Sequence, residues 1–245
     1  MKKLIILLAI LLTVPISTAR SSVEHGGGLR WLAVSSSAPD LLTNWTIAFW
    51  IYPTADPATW VPGFYLRSAT GARQVYIHVT NAGVLGVDVP YVKGDIVVGT
   101  TVISTLNVWY HVAVTRSGND WTIWLNGVID GGPTTDNTAQ QSGGTFYLCG
   151  IQSCCIFIGR LAELAGWPAV LTTGEIKALA HGTPPNRIRV GLLKSGGFYW
   201  PLHTRNATPP HIWADLGGGS WNATANAADD TIAGHAPMSP PGGAD

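Results

Sequence analysis

In TIAFWIYP (residues 46–53), Ile47, Phe49 and Ile51 fall on one side of an extended chain, and Ala48, Trp50 and Tyr52 on the other. Successive strand side chains point to opposite faces, and here both faces are apolar, so the segment predicts an inner strand covered on both sides. Pro53 ends it, because proline has no N–H to give a ladder. QVYIHV (74–79) and VLGVDV (84–89) follow, with Asn81 and Gly83 between them as turn formers, and DIVVGTTVIS (95–104) reads as a further strand. In WYHVAVTRSGNDWTIWLNGVIDGG (109–132), Trp109, His111, Ala113 and Thr115 alternate with Tyr110, Val112 and Val114. After the turn RSGND, Trp121, Ile123 and Leu125 oppose Thr122, Trp124 and Asn126. Asn126-Gly127 predicts a type I′ hairpin, whose two central residues need positive φ. TFYLC and CIFIG supply two more strands.

Only TTGEIKALAHG breaks the strand rhythm. Thr172 as N-cap and Glu175 three residues on form a capping box; Ile176 and Leu179 give an apolar side, and Gly182 a stop. Many short strands with turn chemistry between them predict an all-β sandwich or barrel, with one short helix.

The ends of the chain are different. MKKLIILLAILLTVPISTAR has two lysines, an apolar run from Leu4 to Ile16, and Ser17 and Ala19 placed as a cleavage site would want them. Residues 1–19 therefore read as a signal peptide or a retained hydrophobic segment, too short to span a bilayer as a helix. Residues 20–237 read as one sandwich, and APMSPPGGAD closes with a loose tail at 238–245. Export places the protein outside the cell or on its surface, with no integral membrane role once the leader is removed. The net charge is zero and only 11% of residues are charged, which leaves no footprint for nucleic acid and much neutral surface for a homo-oligomer or assembly. The three cysteines lie in LCGIQSCC. Cys149 and Cys154 pair across a hairpin if the protein is oxidised outside the cell; the other reading is buried thiols on two strand ends.

WTIAFWIYP, then WYHVAVTRSGNDWTIWLNGVIDGG, then FIGRLAELAGWPAVLTTGEIKAL resemble the laminin G-like (concanavalin A-like) domains. The resemblance runs from about Leu29 to Leu179 and implies a jelly roll of two antiparallel sheets, with Trp50 and Trp109 packed between them. It implies binding or assembly more than catalysis. The C-terminal stretch from Gly197 is similar to the ends of laminin G-like proteins from phage and environmental genomes, with Gly217 where a serine is usual. That leaves a virion or filament subunit as the alternative to a secreted module. At the acid position where the family holds structural calcium this chain has Ala162; Glu163 alone does not supply the six to eight oxygens calcium takes, so no cofactor is expected.

Glycosidases of this fold carry paired carboxylates along one strand. The three glutamates, Glu24, Glu163 and Glu175, have no acid at strand spacing, and there is no nucleophile elbow, so no enzyme is expected. Most of the eleven tryptophans belong to the core, and His111 reads as a core histidine. Trp60, Trp213 and Trp221 sit in loop-like text rich in Pro, Gly and Asp, where rings stack on sugars or fill a partner's hollow. Tyr76, His78 and Tyr91 are placed to line a concave sheet face or to cap the edge of the core. The expected ligand is a glycan or a protein of a cell surface or virion.

Overall fold

The inner strand that the apolar pattern predicts is the spine of the structure. The computed structural model describes residues 20–25, 32–34, 43–55, 61–67, 74–89, 94–137, 145–148, 159–202, 212–218, 222–225 and 231–235. In chain order its strands are β1 (Arg20–His25), β2 (Leu32–Val34), β3 (Asn44–Pro53), β4 (Val61–Arg67), β5 (Gln74–Val79), β6 (Leu85–Val89), β7 (Gly94–Val98), β8 (Tyr110–Ser117), β9 (Asp120–Leu125), β10 (Val128–Thr135), β11 (Thr145–Leu148) and β12 (Gly159–Trp167). Helices α1 (Thr173–Ala180) and α2 (Val190–Gly196) follow, then β13 (Phe198–Trp200), β14 (Ile212–Trp213), β15 (Ala223–Ala225) and β16 (Thr231–His235). The first sheet runs β10-β9-β8-β3-β12-β1-β16, with β13 also on β12; the second runs β14-β15-β2-β11-β4-β5-β6-β7. This is a two-sheet antiparallel sandwich of the concanavalin A-like kind.

The core between the sheets follows from alternation. Ile47, Phe49 and Ile51 of β3, Val112 and Val114 of β8, and Trp121 and Ile123 of β9 meet Val75, Ile77 and Val79 of β5 and Val87 of β6. Trp45 meets Trp121 edge to face at 5.5 Å, and the Arg116 guanidinium stacks 4.8 Å from the Trp121 ring, so the buried charge lies on a π face. The hairpin turn is as predicted: Asn126 and Gly127 have φ of 50° and 80°.

Trp50 and Trp109 are buried but not between the sheets, which corrects the expectation drawn from the family. Trp50 follows the alternation of β3 to the outer side of the first sheet, and Trp109, just before β8, joins it there, where they pack with Ala162 and Tyr52. Among the described residues the tryptophans between the sheets are instead Trp45, Trp121 and Trp200. Farther along the same outer face, Trp124, Ala113, Ala48, Ala165 and Tyr199 stand side by side on five neighbouring strands. The three alanines make a trough between a tryptophan and a tyrosine, and Ile176 and Leu179 of α1 and Leu193 of α2 join them in one buried cluster. Thr46 ties the helices down: its hydroxyl donates to the Ala169 carbonyl and accepts from the Leu171 N–H, both at 2.9 Å.

Two sequence expectations change. Helix α2 joins α1, so the single helix becomes a pair; α2 has only seven residues and no side-chain cap, and its order comes from Leu193 packing onto the sheet. The strand read over 95–104 stops at Val98. Beyond it the chain leaves the ladder and bridges the two sheets: the Gly99 N–H bonds to the Leu85 carbonyl, and the Thr100 N–H to that of Asp130 on β10. The Asp130 carboxylate accepts a further bond from the Thr101 N–H at 3.0 Å. This seam anchors β7, the edge strand of the second sheet.

Candidate functional site

The face of the second sheet turned away from the core is where polar chemistry collects. On β5, Val75, Ile77 and Val79 point inward, which sends Tyr76 and His78 outward. On β6, Leu85, Val87 and Val89 point inward, which leaves Gly86 and Asp88 outside. Register then aligns His78 with Gly86, and Tyr76 with Asp88. A bulge between β6 and β7 sets Asp88 opposite Asp95.

Gly86 is the window through which this group assembles. His78 on β5 reaches across it to Asp95 on β7, with Nε2 2.9 Å from the carboxylate Oδ1. A Cβ at Gly86 would stand 2.8 Å from His78 Nε2 and 3.1 Å from that Asp95 oxygen, so any side chain there forces the pair apart. The His78 ring is 1% exposed, and burial holds its pKa below the ordinary value, against the upward pull of the Asp95 hydrogen bond and charge. The imidazole is therefore neutral, and its Nε2–H donates to Asp95. Tyr76 packs edge-on against it at 5.9 Å.

Asp88 is the exceptional member. It is 5% exposed, and its Oδ1 has no hydrogen-bond partner. Burial first, and the charge of Asp95 second, push its pKa up to about 6, against the Val89 N–H, which favours the ionised form. Buried carboxylates are normally satisfied, and leaving one acceptor bare costs on the order of 1–3 kcal/mol. Among the described residues no group of three His, Cys, Asp or Glu side chains comes together as metal ligands would. The cluster is a set of hydrogen-bonding groups: a bare acceptor, a second carboxylate half engaged by a neutral histidine, and a tyrosine beside them. Its buried members lie toward the middle of the sheet, and Asp95 and Val98 on the β7 edge are exposed.

Sequence reasoning brought two of the expected residues to this face, Tyr76 and His78. It missed Asp88 and Asp95, because paired acids were sought along one strand and these face each other across a hairpin. The signal is present in DVPYVKGD, two acids flanking the β6–β7 connection. Trp213 lies in β14, at the opposite edge of the sheet from β7, and in a strand rather than the expected loop. Trp60, Tyr91, Trp221, Cys149 and Cys154, the segment 1–19 and the tail 238–245 lie outside the described residues. Glu163, the carboxylate next to Ala162, sits in a bulge of β12 with φ of 54° and accepts a hydrogen bond from the Tyr199 hydroxyl. His111 is fully buried, but on the outer side of the first sheet, 5.2 Å from Trp50, and desolvation pulls its pKa down to about 3.

Residues 27–177, more than half of the chain, match the model of the concanavalin A-like lectin/glucanases superfamily. The chain belongs to that family. A candidate carbohydrate-binding protein of Bacteroides ovatus is similar in structure, with a TM-score of 0.63 and 18% identity over 90% of this chain; this chain spans 62% of that protein's length. A heptameric SAP-like pentraxin of Limulus polyphemus gives a TM-score of 0.54 at 19% identity, covering 68% of this chain and 84% of its own. No curated protein matches the sequence. At these identities the likeness is one of fold, a concanavalin A-like sandwich.

Proposed function

We propose that the protein is a non-catalytic glycan-binding module, displayed outside the cell, that takes its ligand on the outer face of the second sheet. The observation that carries the reading is the bare Oδ1 of Asp88, buried beside Tyr76 and the His78–Asp95 pair. A sugar offers hydroxyl donors to such an acceptor and an apolar ring face to the tyrosine. The similarity to the Bacteroides ovatus protein supports the same reading, and the leader-like residues 1–19 support export. An intact-mass measurement of the native N-terminus checks that last point; a retained Met1 overturns it.

Glycan-array binding by the full chain tests the ligand. The wild type is expected to bind neutral or amino-sugar oligosaccharides, with at least tenfold loss in Gly86→Val, where the new side chain would push His78 and Asp95 apart, and in Asp88→Asn, which keeps the size of the side chain. A wild type that retains no glycan at millimolar concentration overturns the reading.

One observation favours hydrolysis as a second reading. The pKa of Asp88 is raised to about 6 beside a second carboxylate, as the general acid of a glycosidase requires. Reducing ends released from a bound oligosaccharide by the wild type and not by Asp88→Asn would establish it.

A further inference from the structure

We propose that the glycan this face takes bears free amines: a chain of deacetylated amino sugars, with an ammonium group set against the carboxylates of Asp88 and Asp95. The inference rests on the glycan-binding reading and names the class of sugar within it.

The starting point is an electrostatic imbalance. Asp88 and Asp95 are cross-strand partners, and like charges directly opposite on neighbouring strands destabilise a sheet. Among the described side chains, Asp95 is the charge that bears on Asp88, and no positive group offsets it. His78 is neutral and spends its Nε2–H on Asp95. Tyr76 pairs with Asp88 on one side and stands in register with Tyr65 on the other. Val98, the next outward residue of β7, is apolar.

A neutral hydroxyl satisfies the bare Oδ1 of Asp88 as a donor but leaves the repulsion between the two carboxylates in place. An ammonium group does both. It donates charge-assisted hydrogen bonds, roughly twice as strong as neutral ones, and its charge sits in a site where burial weakens screening. A uronate, sulfate or sialic acid adds a third negative charge to the same face and is rejected. The buried, unpartnered oxygen is what separates this place from an ordinary acidic surface: an exposed acid finds water, whereas Asp88 Oδ1 is sealed from solvent and bonded to nothing.

Titration calorimetry with the full chain at low salt, comparing tetraglucosamine, its N-acetylated counterpart, a tetragalacturonate and tetralysine, tests this. Tetraglucosamine is expected to bind at least tenfold more tightly than the acetylated chain, tetragalacturonate not to bind, and Asp88→Asn to erase the preference for the amine. Asp95→Asn, the second variant, is expected to reduce the same preference. Equal binding of free and acetylated chains, or preference for the uronate, overturns the inference and leaves the glycan reading standing. An amine preference that survives Asp88→Asn also overturns it, because attraction would then come from elsewhere. Tighter binding of tetralysine than of tetraglucosamine reassigns the face to cationic peptides. Failure of every oligosaccharide overturns both readings.

Discussion

On the first sheet, the face turned from the core is finished by Trp124, Ala113, Ala48, Ala165 and Tyr199, and two helices cover it. On the second sheet the equivalent face carries Tyr76, His78, Asp88 and Asp95. Both faces are buried at their centres, yet they are built differently. Under the helices the polar groups on the first are engaged: the Trp124 indole donates to the Thr115 hydroxyl at 3.2 Å, the Trp167 indole to the Ile188 carbonyl at 3.0 Å, and Tyr199 to Glu163, while the bare Nδ1 of His111 lies outside that patch, beside Trp50. The second combines a bare carboxylate oxygen with two acids in register. The first face is made for stability; the second carries a local cost, which is where a binding site is to be sought.

The largest effect that sharpens this contrast is at Trp167, fully buried under the helices. Trp167→Ala removes the ring and the bond to Ile188, which holds the segment between α1 and α2. By analogy with other buried large-to-small changes it should cost about 3–5 kcal/mol, read as a lower urea midpoint. Glycan affinity measured well below that midpoint should be unchanged.

Asp88→Asn should act in the opposite direction. The folded-state pKa of Asp88 is raised from 3.8 to about 6, so the folded protein holds a proton that the unfolded chain releases. Below about pH 4 both states are protonated and the group contributes nothing. Between about pH 4 and 6 the unfolded state ionises first, and wild-type stability falls as pH rises. Above about 6 the penalty is constant. At about 1.4 kcal/mol per pH unit the full shift is roughly 1–3 kcal/mol once allowance is made for relaxation. The asparagine variant lacks this loss: its gain over wild type should grow from near zero at pH 3.5 to that size at pH 7 in urea titrations. A variant less stable than wild type at pH 7 would place Asp88 among structural residues and remove the contrast.

The fold was legible because β3 declares it. An apolar residue at each position from Ile47 to Tyr52 needs cover on both sides, and β3 has the core on one and the outer-face clusters on the other. The same pattern also held the correction: if Phe49 faces the second sheet, Trp50 cannot, and parity within the strand outweighs a family's habit. The capping box of α1 and the Asn126-Gly127 turn were legible because each is set by a few adjacent residues. Helix α2 was not, since its seven residues are ordered by what they touch. The site was half legible. Tyr76 and His78 show on one strand, but the Asp88–Asp95 pairing depends on a bulge, and the His78–Asp95 bond on the absence of a side chain at Gly86. A missing Cβ between two partners leaves no mark in a one-dimensional pattern.

The smallest predicted effect tests whether the two faces are independent. At the start of α1 the Thr172 hydroxyl accepts from the Glu175 N–H at 3.3 Å, and the Glu175 carboxylate accepts from the Thr172 N–H at 2.7 Å. The other carboxylate oxygen of Glu175 takes the Arg189 Nε–H at 2.6 Å, joining α1 to the turn before α2. Thr172→Ala removes one half of the box and leaves the Arg189 contact, so its cost should fall near 1 kcal/mol, within the usual range for a lost N-cap. Helix α1 lies on the first sheet, and the path from it to Asp88 crosses the packed core of Val112, Val114, Val87 and Val89. A core that holds its shape does not transmit the fraying of one helical turn. Thermal unfolding of Thr172→Ala should therefore shift by a few degrees while its oligosaccharide affinity stays within twofold of wild type. A larger loss of affinity would mean that the helix-covered face sets the geometry of the polar one, and the division of labour between the two sheets would have to be abandoned.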